Sequence, residues 1–351
     1  MAKREVKFGI AAPVPGESTT SLIEHVRRYE RGGFDTVWFP DHMVFMARTI
    51  TPEVWSVITA AAVKTKTIAM GTIGDAHRIH PAVFAHRLAT VDHLSGGGRT
   101  FVCVGYGEKM NLDPYGINWD RPLTRVRESV NIMRLLWKGQ PVTFSGEVYR
   151  LEQAELRITP ASPNGIPIYI AATAPRALAL AGELGDGWVT NAMPERLFKK
   201  KLQTVRQGEK KRAKGMGKLE KAIYIFLSLA STDDEALTAL EPIKHALIWP
   251  ELLDEAGYDI KIDEEYRGLQ YTKIMPNDPD MVRRFREMGQ KYYTRDILKD
   301  FVIAGTRDQV IGRIEKYISA GVDHFILRDF SPDRKRSQRT LMREIIPYFR
   351  G

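Results

Sequence analysis

The chain has 351 residues, 43% hydrophobic and 27% charged, with 52 Lys and Arg against 43 Asp and Glu, a formal net charge of +9. That length suits one large α/β core or two modest ones, and the single Cys103 excludes an internal disulfide and any CxxC zinc or redox site. The N-terminal MAKREVKFGI turns polar at once, which leaves no signal peptide or membrane span there and points to a cytoplasmic protein without an integral membrane segment.

Apolar β-rich runs alternate with amphipathic helical stretches. VKFGIA (6–11) precedes a helix over 18–31, capped by Ser18 or Thr19 and closed by Gly32-Gly33. TVWFP (36–40) leads to a helix over 52–65, TIAMGTI (67–73) to one over 81–94, and TFVCVGY (100–106) to one over 123–139. VTFSGEVYRL (142–151) reads as a hairpin with a Ser-Gly turn. The alternation then resumes with IPIYIAA (166–172) and a helix over 175–185, then GWVTNA (187–192) and a basic helix near 195–213. KAIYIFLSLA (221–230) is followed by a helix over 233–247, and DHFILRD (323–329) by a final helix near 337–349. Eight strand–helix units predict an α/β fold, a single-domain (β/α)8 TIM barrel over 1–351. Residues 248–304 break the register and read as an insertion between strands 7 and 8 that covers the substrate side of the mouth.

The net charge is compatible with an anionic ligand, a membrane surface or nucleic acid. Much of it lies in the helical stretch 199–218 and the tail 332–339, which read as solvated faces, so nucleic acid is not the expected partner.

Barrels of this kind work at the carboxyl ends of their strands. Strand two ends in Asp41-His42, strand three runs into Asp75, His77 and His80, strand four into Glu108 and Asn111, and strand five into AATAP. A lone histidine is more often structural, but His42 and Glu108 at two strand ends of one mouth point to proton chemistry. GYGEKM (105–110) fails the GxGxxG spacing because Met110 stands at the third glycine, and no Walker A, HExxH or GxSxG is present. His77, His80 and His86 are spread over a loop and a helix, so no metal is expected. Gly71, Gly74, Gly105, Gly107, Ala171, Ala172 and Thr173 leave a mouth without bulk, suited to a large, planar, anionic cofactor, although tight turns alone would also use such residues.

VKFGIA, GFDTVWFPDH, GTIGDAHRIHP, DHLSGGGRTFVCVGYGE, FSGEVYRL, IPIYIAATAPRALALAGELGDGWV and GTRDQVIGRIEKYISAGVDHFIL together resemble the bacterial-luciferase-like superfamily. The Asp-His pair and the G-x-G-E resemble its branch that uses the deazaflavin coenzyme F420, with FMN the alternative. The resemblance implies a TIM barrel, a homodimer, and an oxidoreductase that transfers hydride between the deazaflavin C5 and a carbonyl/alcohol pair of a small-molecule substrate. It implies that His42 is the acid/base, that Glu108 is the acid near the deazaflavin N1, and that Asn111 and Asp41 line the cofactor pocket. Thr72, Ile73 and Gly74 would form the bulge behind the ring, where Ile73-Gly74 matches a common non-proline cis peptide. Gly107, Ala171, Ala172, Thr173 and Ala174 would complete the cofactor side, with Met46 and Asp75 on the substrate side.

Departures from the branch bear on the substrate. Met46 replaces a tryptophan, and Pro194 replaces a phosphate-binding lysine, of the sugar-phosphate dehydrogenases, which argues against glucose 6-phosphate. LDPYGINWDRP (112–122) resembles the methylenetetrahydromethanopterin reductases, but Ala11 stands where their strand-one glutamate belongs, and Glu108 where they tend to carry aspartate. The ketoreductase-like members of the phthiodiolone type give the best overall likeness. The rival readings are a pterin-reductase-like enzyme, an FMN-dependent monooxygenase, and a flavin- or deazaflavin-binding protein without turnover.

Overall fold

The computed structural model describes residues 6–13, 18–45 and 50–351. The strands are β1 (Lys7–Ala11), β2 (Thr36–Pro40), β3 (Ala69–Asp75), β4 (Thr100–Gly105), β5 (Val142–Ser145), β6 (Arg150–Ala154), β7 (Ile168–Ala171), β8 (Gly187–Asn191), β9 (Glu220–Leu229), β10 (Ile303–Gly305) and β11 (His324–Asp329). Parallel pairing runs β1-β2-β3-β4-β7-β8-β9-β11 and returns to β1, closing an eight-stranded barrel. The expected (β/α)8 TIM barrel is therefore the fold. β5 and β6 form the antiparallel hairpin, whose turn amides at Glu147, Val148 and Tyr149 donate to the Glu128 carboxylate.

The helices are α1 (Thr19–Arg31), α2 (Val54–Ala62), α3 (Pro81–Ser95), α4 (Pro122–Leu136), α5 (Pro175–Leu184), α6 (Glu195–Glu209), α7 (Asp233–Leu240), α8 (Lys244–Leu247), α9 (Pro279–Tyr292), α10 (Arg295–Phe301), α11 (Arg307–Ala320), α12 (Arg334–Thr340) and α13 (Ile346–Arg350). Ser18 caps α1 by accepting from the Ser21 amide, and Leu22, Val26 and Tyr29 form its buried face. The helix expected over 233–247 is interrupted after Leu240 because Pro242 has no N–H to donate and crowds the preceding turn. The expected irregular stretch 248–304 contains α9, α10 and β10, and Ile303 of β10 pairs with Leu227 of β9. The last helix is divided by a π turn over 341–345, next to Pro347. No helix among the described residues is long and apolar enough to cross a membrane.

Side chains alternate across each strand, so the barrel interior receives Trp38, Phe101, Cys103, Tyr169, Ala222 and Ile326. The rings of Trp38 lie 4.3 Å from Phe101 and 5.1 Å from Tyr169. At the amino ends of the strands the interior turns polar. His324 Nε2 meets Thr36 Oγ1 at 2.7 Å, His324 Nδ1 meets Glu220 Oε1 at 2.6 Å, and Lys7 Nζ donates to Glu220 Oε2 at 2.6 Å. This closes the lower end and leaves the carboxyl ends as the open mouth. Outside the barrel, the buried Arg99 donates to the carbonyls of Ala62, Thr65, Ile68 and Ser95, joining α2, β3 and α3.

The Ile73–Gly74 bond, a candidate cis peptide from sequence, is trans: both residues stay in the β3 ladder, opposite Cys103 and Val104. Among the described residues the cis bond is Ala12–Pro13.

Candidate active site

The loops after β2, β3 and β4 are tied together before they reach any ligand. Asp41 N donates to Ile73 O at 2.8 Å, continuing the β2–β3 ladder one residue past Pro40. Arg78, from the loop after β3, donates to the Asp41 carbonyl, pairs with Asp41 Oδ1 at 3.2 Å and donates to Asp75 Oδ2 at 2.6 Å. Burial pushes the Asp41 carboxyl above its ordinary value, and the Arg78 charge works against that rise. Asn111 Oδ1 accepts from the amides of Met43 (2.8 Å) and Val44 (3.1 Å), fixing the chain just after His42.

Two features need glycine. Gly107 has φ +82°, and a Cβ there would come within 3.0 Å of Leu112 Cδ1 and 3.3 Å of His77 Nδ1. At Gly74 a Cβ would stand 3.2 Å from Asp41 Oδ2, so the bare backbone lets that carboxylate close against β3.

The result is a pair of chambers that share a wall. The first, about 690 Å³, is lined by Asp41, His42, Ile73, Gly74, Asp75, Gly107, Glu108, Asn111, Ala171, Ala172 and Thr173, with Tyr106, Thr190, Asn191, Trp249 and Thr272 among the others. The second, about 840 Å³, is lined chiefly by rings and aliphatic groups: Phe45, Tyr224, Phe226, Leu247, Tyr271 and Phe330, with Arg328. His42, Glu108, Ile73, Asn191 and Trp249 belong to both chambers. At that junction His42 Nε2 meets Glu108 Oε2 at 3.1 Å, with the two side chains 14% and 19% exposed. His42 Nδ1 is buried without a hydrogen-bond partner, and Phe45 sets its edge against the ring at 5.2 Å.

The structure thus brings together most of the residues that sequence singled out. Thr72 is an exception: with Ile73 facing the barrel interior, period-two alternation turns Thr72 outward, and it is fully buried away from the chamber. Ala174 caps α5 and is not on the chamber wall. Asp75, grouped from sequence with Met46 on the substrate side, lines the first chamber and not the second. Its Oδ1 accepts from the His77 and Arg78 amides and its Oδ2 from Arg78, so it holds its own loop. Met46 lies outside the described residues. His86 lies on α3, whereas His77 and His80 precede that helix.

Several lining residues were not singled out from sequence. Tyr106, whose hydroxyl lies 3.0 Å from Thr173 Oγ1, bridges the loops after β4 and β7. Trp249 and Tyr271 come from the insertion and stack at 5.2 Å with planes 14° apart. Arg328 was visible in FILRDF as part of an Arg-Asp pair closing an apolar run, the same kind of signal that Asp41-His42 gave.

The family described as luciferase-like monooxygenase matches residues 6–324. The chain belongs to that family. Among luciferase-like relatives, the 5,10-methylenetetrahydromethanopterin reductase of Archaeoglobus fulgidus is 32% identical over 347 residues, covering 97% of this chain and 99% of its own. The F420-dependent glucose-6-phosphate dehydrogenase of Amycolatopsis mediterranei is 27% identical, covering 99% of each. Among solved structures, an F420-dependent secondary alcohol dehydrogenase in complex with an F420–acetone adduct superposes with a TM-score of 0.83 at 27% identity, covering 99% of this chain and 100% of its own.

The first chamber fits a deazaflavin. Its walls at Gly74, Gly107 and Ala171–Thr173 are short or bare. Asp41, Glu108 and Asn111 contribute polar side chains to its lining, and Glu108 also reaches the second chamber.

Proposed function

We propose that this luciferase-like barrel is a coenzyme F420-dependent oxidoreductase that interconverts a carbonyl and an alcohol, or reduces an equivalent C=X bond. The relatives and the F420–acetone structure support the cofactor and the reaction class. The observation that carries the finer reading is the hydrogen-bonded His42–Glu108 pair at the junction of a small-walled chamber and an aromatic one.

When bound, F420 supplies two-electron chemistry at its deazaflavin C5, exchanging a hydride with the carbonyl carbon. Asp41, Ile73, Gly74, Gly107, Asn111, Ala171, Ala172 and Thr173 would hold it in the first chamber. His42 moves the accompanying proton: in reduction the carbonyl oxygen takes it, and in oxidation the alcohol oxygen returns it to the imidazole. With Nδ1 buried, Nε2 is the nitrogen that exchanges this proton, and Glu108, hydrogen-bonded to it, steadies the ring and presents its other carboxyl oxygen to the cofactor side. Trp249 and Tyr271, from residues 248–304, roof the second chamber and keep water from the reacting carbon. A homodimer and a cytoplasmic location, both implied by the family resemblance, belong to the same proposal.

The pterin-reductase reading is favoured by the 32% identity to the Archaeoglobus enzyme. Against it stands Ala11, which is fully buried in the barrel interior and brings no carboxyl group there. An anaerobic assay separates the readings. Reduced F420 should be oxidised by aliphatic or aryl ketones with 1:1 formation of alcohol. Turnover with methylenetetrahydromethanopterin and none with ketones would transfer the chain to the pterin reading. Oxygen uptake with reduced FMN and no reaction with F420 would overturn both.

A further inference from the structure

Four Lys or Arg side chains are buried among the described residues, and three are visibly engaged within the fold. Arg99 spends its guanidinium on backbone carbonyls. Lys201 bonds Thr173 O and Glu255, and Lys244 pairs with Glu241. Arg328 is the fourth, only 5% exposed. Its guanidinium sits 5.8 Å from the Phe45 ring centre and 5.9 Å from that of Phe330, and it meets the Tyr224 hydroxyl. Among the described residues no carboxylate lies within 4.0 Å of it.

Its place in the barrel explains where it points. On β11, His324 and Ile326 face the barrel interior, at the lower polar cluster and the middle layer. Alternation puts Arg328 next on the same face, at the carboxyl end, where it lines the aromatic chamber. A guanidinium held among rings without a counter-charge is costly unless a ligand supplies one.

We infer that Arg328 binds a carboxylate of the substrate, so that the enzyme acts on an oxo or hydroxy acid with an apolar aryl or alkyl body. This deepens the carbonyl/alcohol reading and rests on it. Among the described residues Arg328 is the only Lys or Arg lining the chamber, and Glu108 stands at its junction with the first chamber. With Glu108 more than 4.0 Å away, the guanidinium has room to pair directly with one carboxylate, whereas the second charge of a phosphate dianion would face no further Lys or Arg among the described lining residues. The competing role for Arg328 is a distant counter-charge to Glu108. The two roles differ in one respect: a counter-charge would affect acidic and neutral substrates alike.

The test uses F420-loaded enzyme and matched probes: oxo acids from 4-oxopentanoate to 6-oxoheptanoate and 4-phenyl-4-oxobutanoate, their methyl esters, and ketones lacking the acid. The best acid should exceed its ester in kcat/KM by about 10- to 100-fold, the range of a charge-assisted hydrogen bond. Arg328→Met should bring the acid-to-ester ratio of kcat/KM to near one, through the KM of the acid, with the acid losing at least about tenfold more than the neutral ketone. Arg328→Lys should retain part of it, and serves if the methionine variant does not fold. Equal rates on acid and ester, or equal losses on both in Arg328→Met, would overturn the assignment. Binding is read separately by the quenching of Trp249 fluorescence with 4-phenylbutanoate, which cannot react, using Trp249→Phe to identify the signal. Tight quenching that Arg328→Met abolishes supports the carboxylate site even if every ketone fails to turn over, in which case only the carbonyl reading falls. No quenching and no acid preference removes the carboxylate site and leaves the carbonyl reading to the neutral ketones.

Discussion

Asn111 shows how one side chain sets the position of another. Its Oδ1 satisfies the Met43 and Val44 amides, the two that follow His42, and it is only 3% exposed. Asn111→Ala strands both donors, at a cost of about 1–3 kcal/mol, and lets the His42 loop drift from Glu108. We expect a lower Tm and a fall in kcat of about tenfold or more, with much of both recovered in Asn111→Asp, which keeps an acceptor. An alanine variant with unchanged Tm and kcat would contradict this placement. Sequence alone drew attention to Asn111 as a cofactor contact but could not show that its oxygen is spent on backbone amides, because the partner lies 68 residues away in the chain. The same limit applies to Asp75, placed on the substrate side from sequence, whose carboxylate is occupied by its own loop.

At the level of elements, the polar cluster at the barrel floor joins β1, β2, β7, β9 and β11 through Lys7, Thr36, Tyr169, Glu220 and His324. Burial would raise the Glu220 carboxyl, but the hydrogen bond and charge of His324, with the Lys7 ammonium, hold it at about 2 against an ordinary 4.5. The folded value lies below the unfolded one, so ionised Glu220 stabilises the barrel fully above about pH 4.5 and progressively less as pH falls toward 2. That difference corresponds to roughly 3 kcal/mol. Glu220→Gln should therefore lower Tm at neutral pH and flatten the decline of Tm between about pH 5 and pH 3; a variant with the wild-type slope would remove Glu220 as the source. Most elements were legible because hydrophobic period and capping residues are local signals, as in α1 with Ser18 and Gly32. β10 was not, since three residues that pair with the far end of β9 carry no period of their own. The outward turn of Thr72 was a one-residue matter: strand three was located, but which of its residues faces inward depends on the pairing register.

Across the whole molecule, the division of labour follows from the barrel's two ends. The lower end is closed by rings and a buried ion cluster, and the upper end opens into two chambers of different character separated by His42 and Glu108. The chain's order of motifs made the barrel and the deazaflavin-using branch readable, because loops after successive strands must converge at one mouth. The walls of the second chamber were not readable, because they come from β2, β3, β8, β9, β11, residues 243–247 and the insertion, which only closure of the barrel brings together. The central claim is that His42 moves the proton at this junction, and stopped-flow oxidation of reduced F420 by a ketone tests it in wild type and His42→Ala. With F420 affinity changed only modestly, the hydride-transfer rate should fall by about 10²–10⁴. A His42→Ala variant that binds F420 and oxidises it at the wild-type rate would contradict the account.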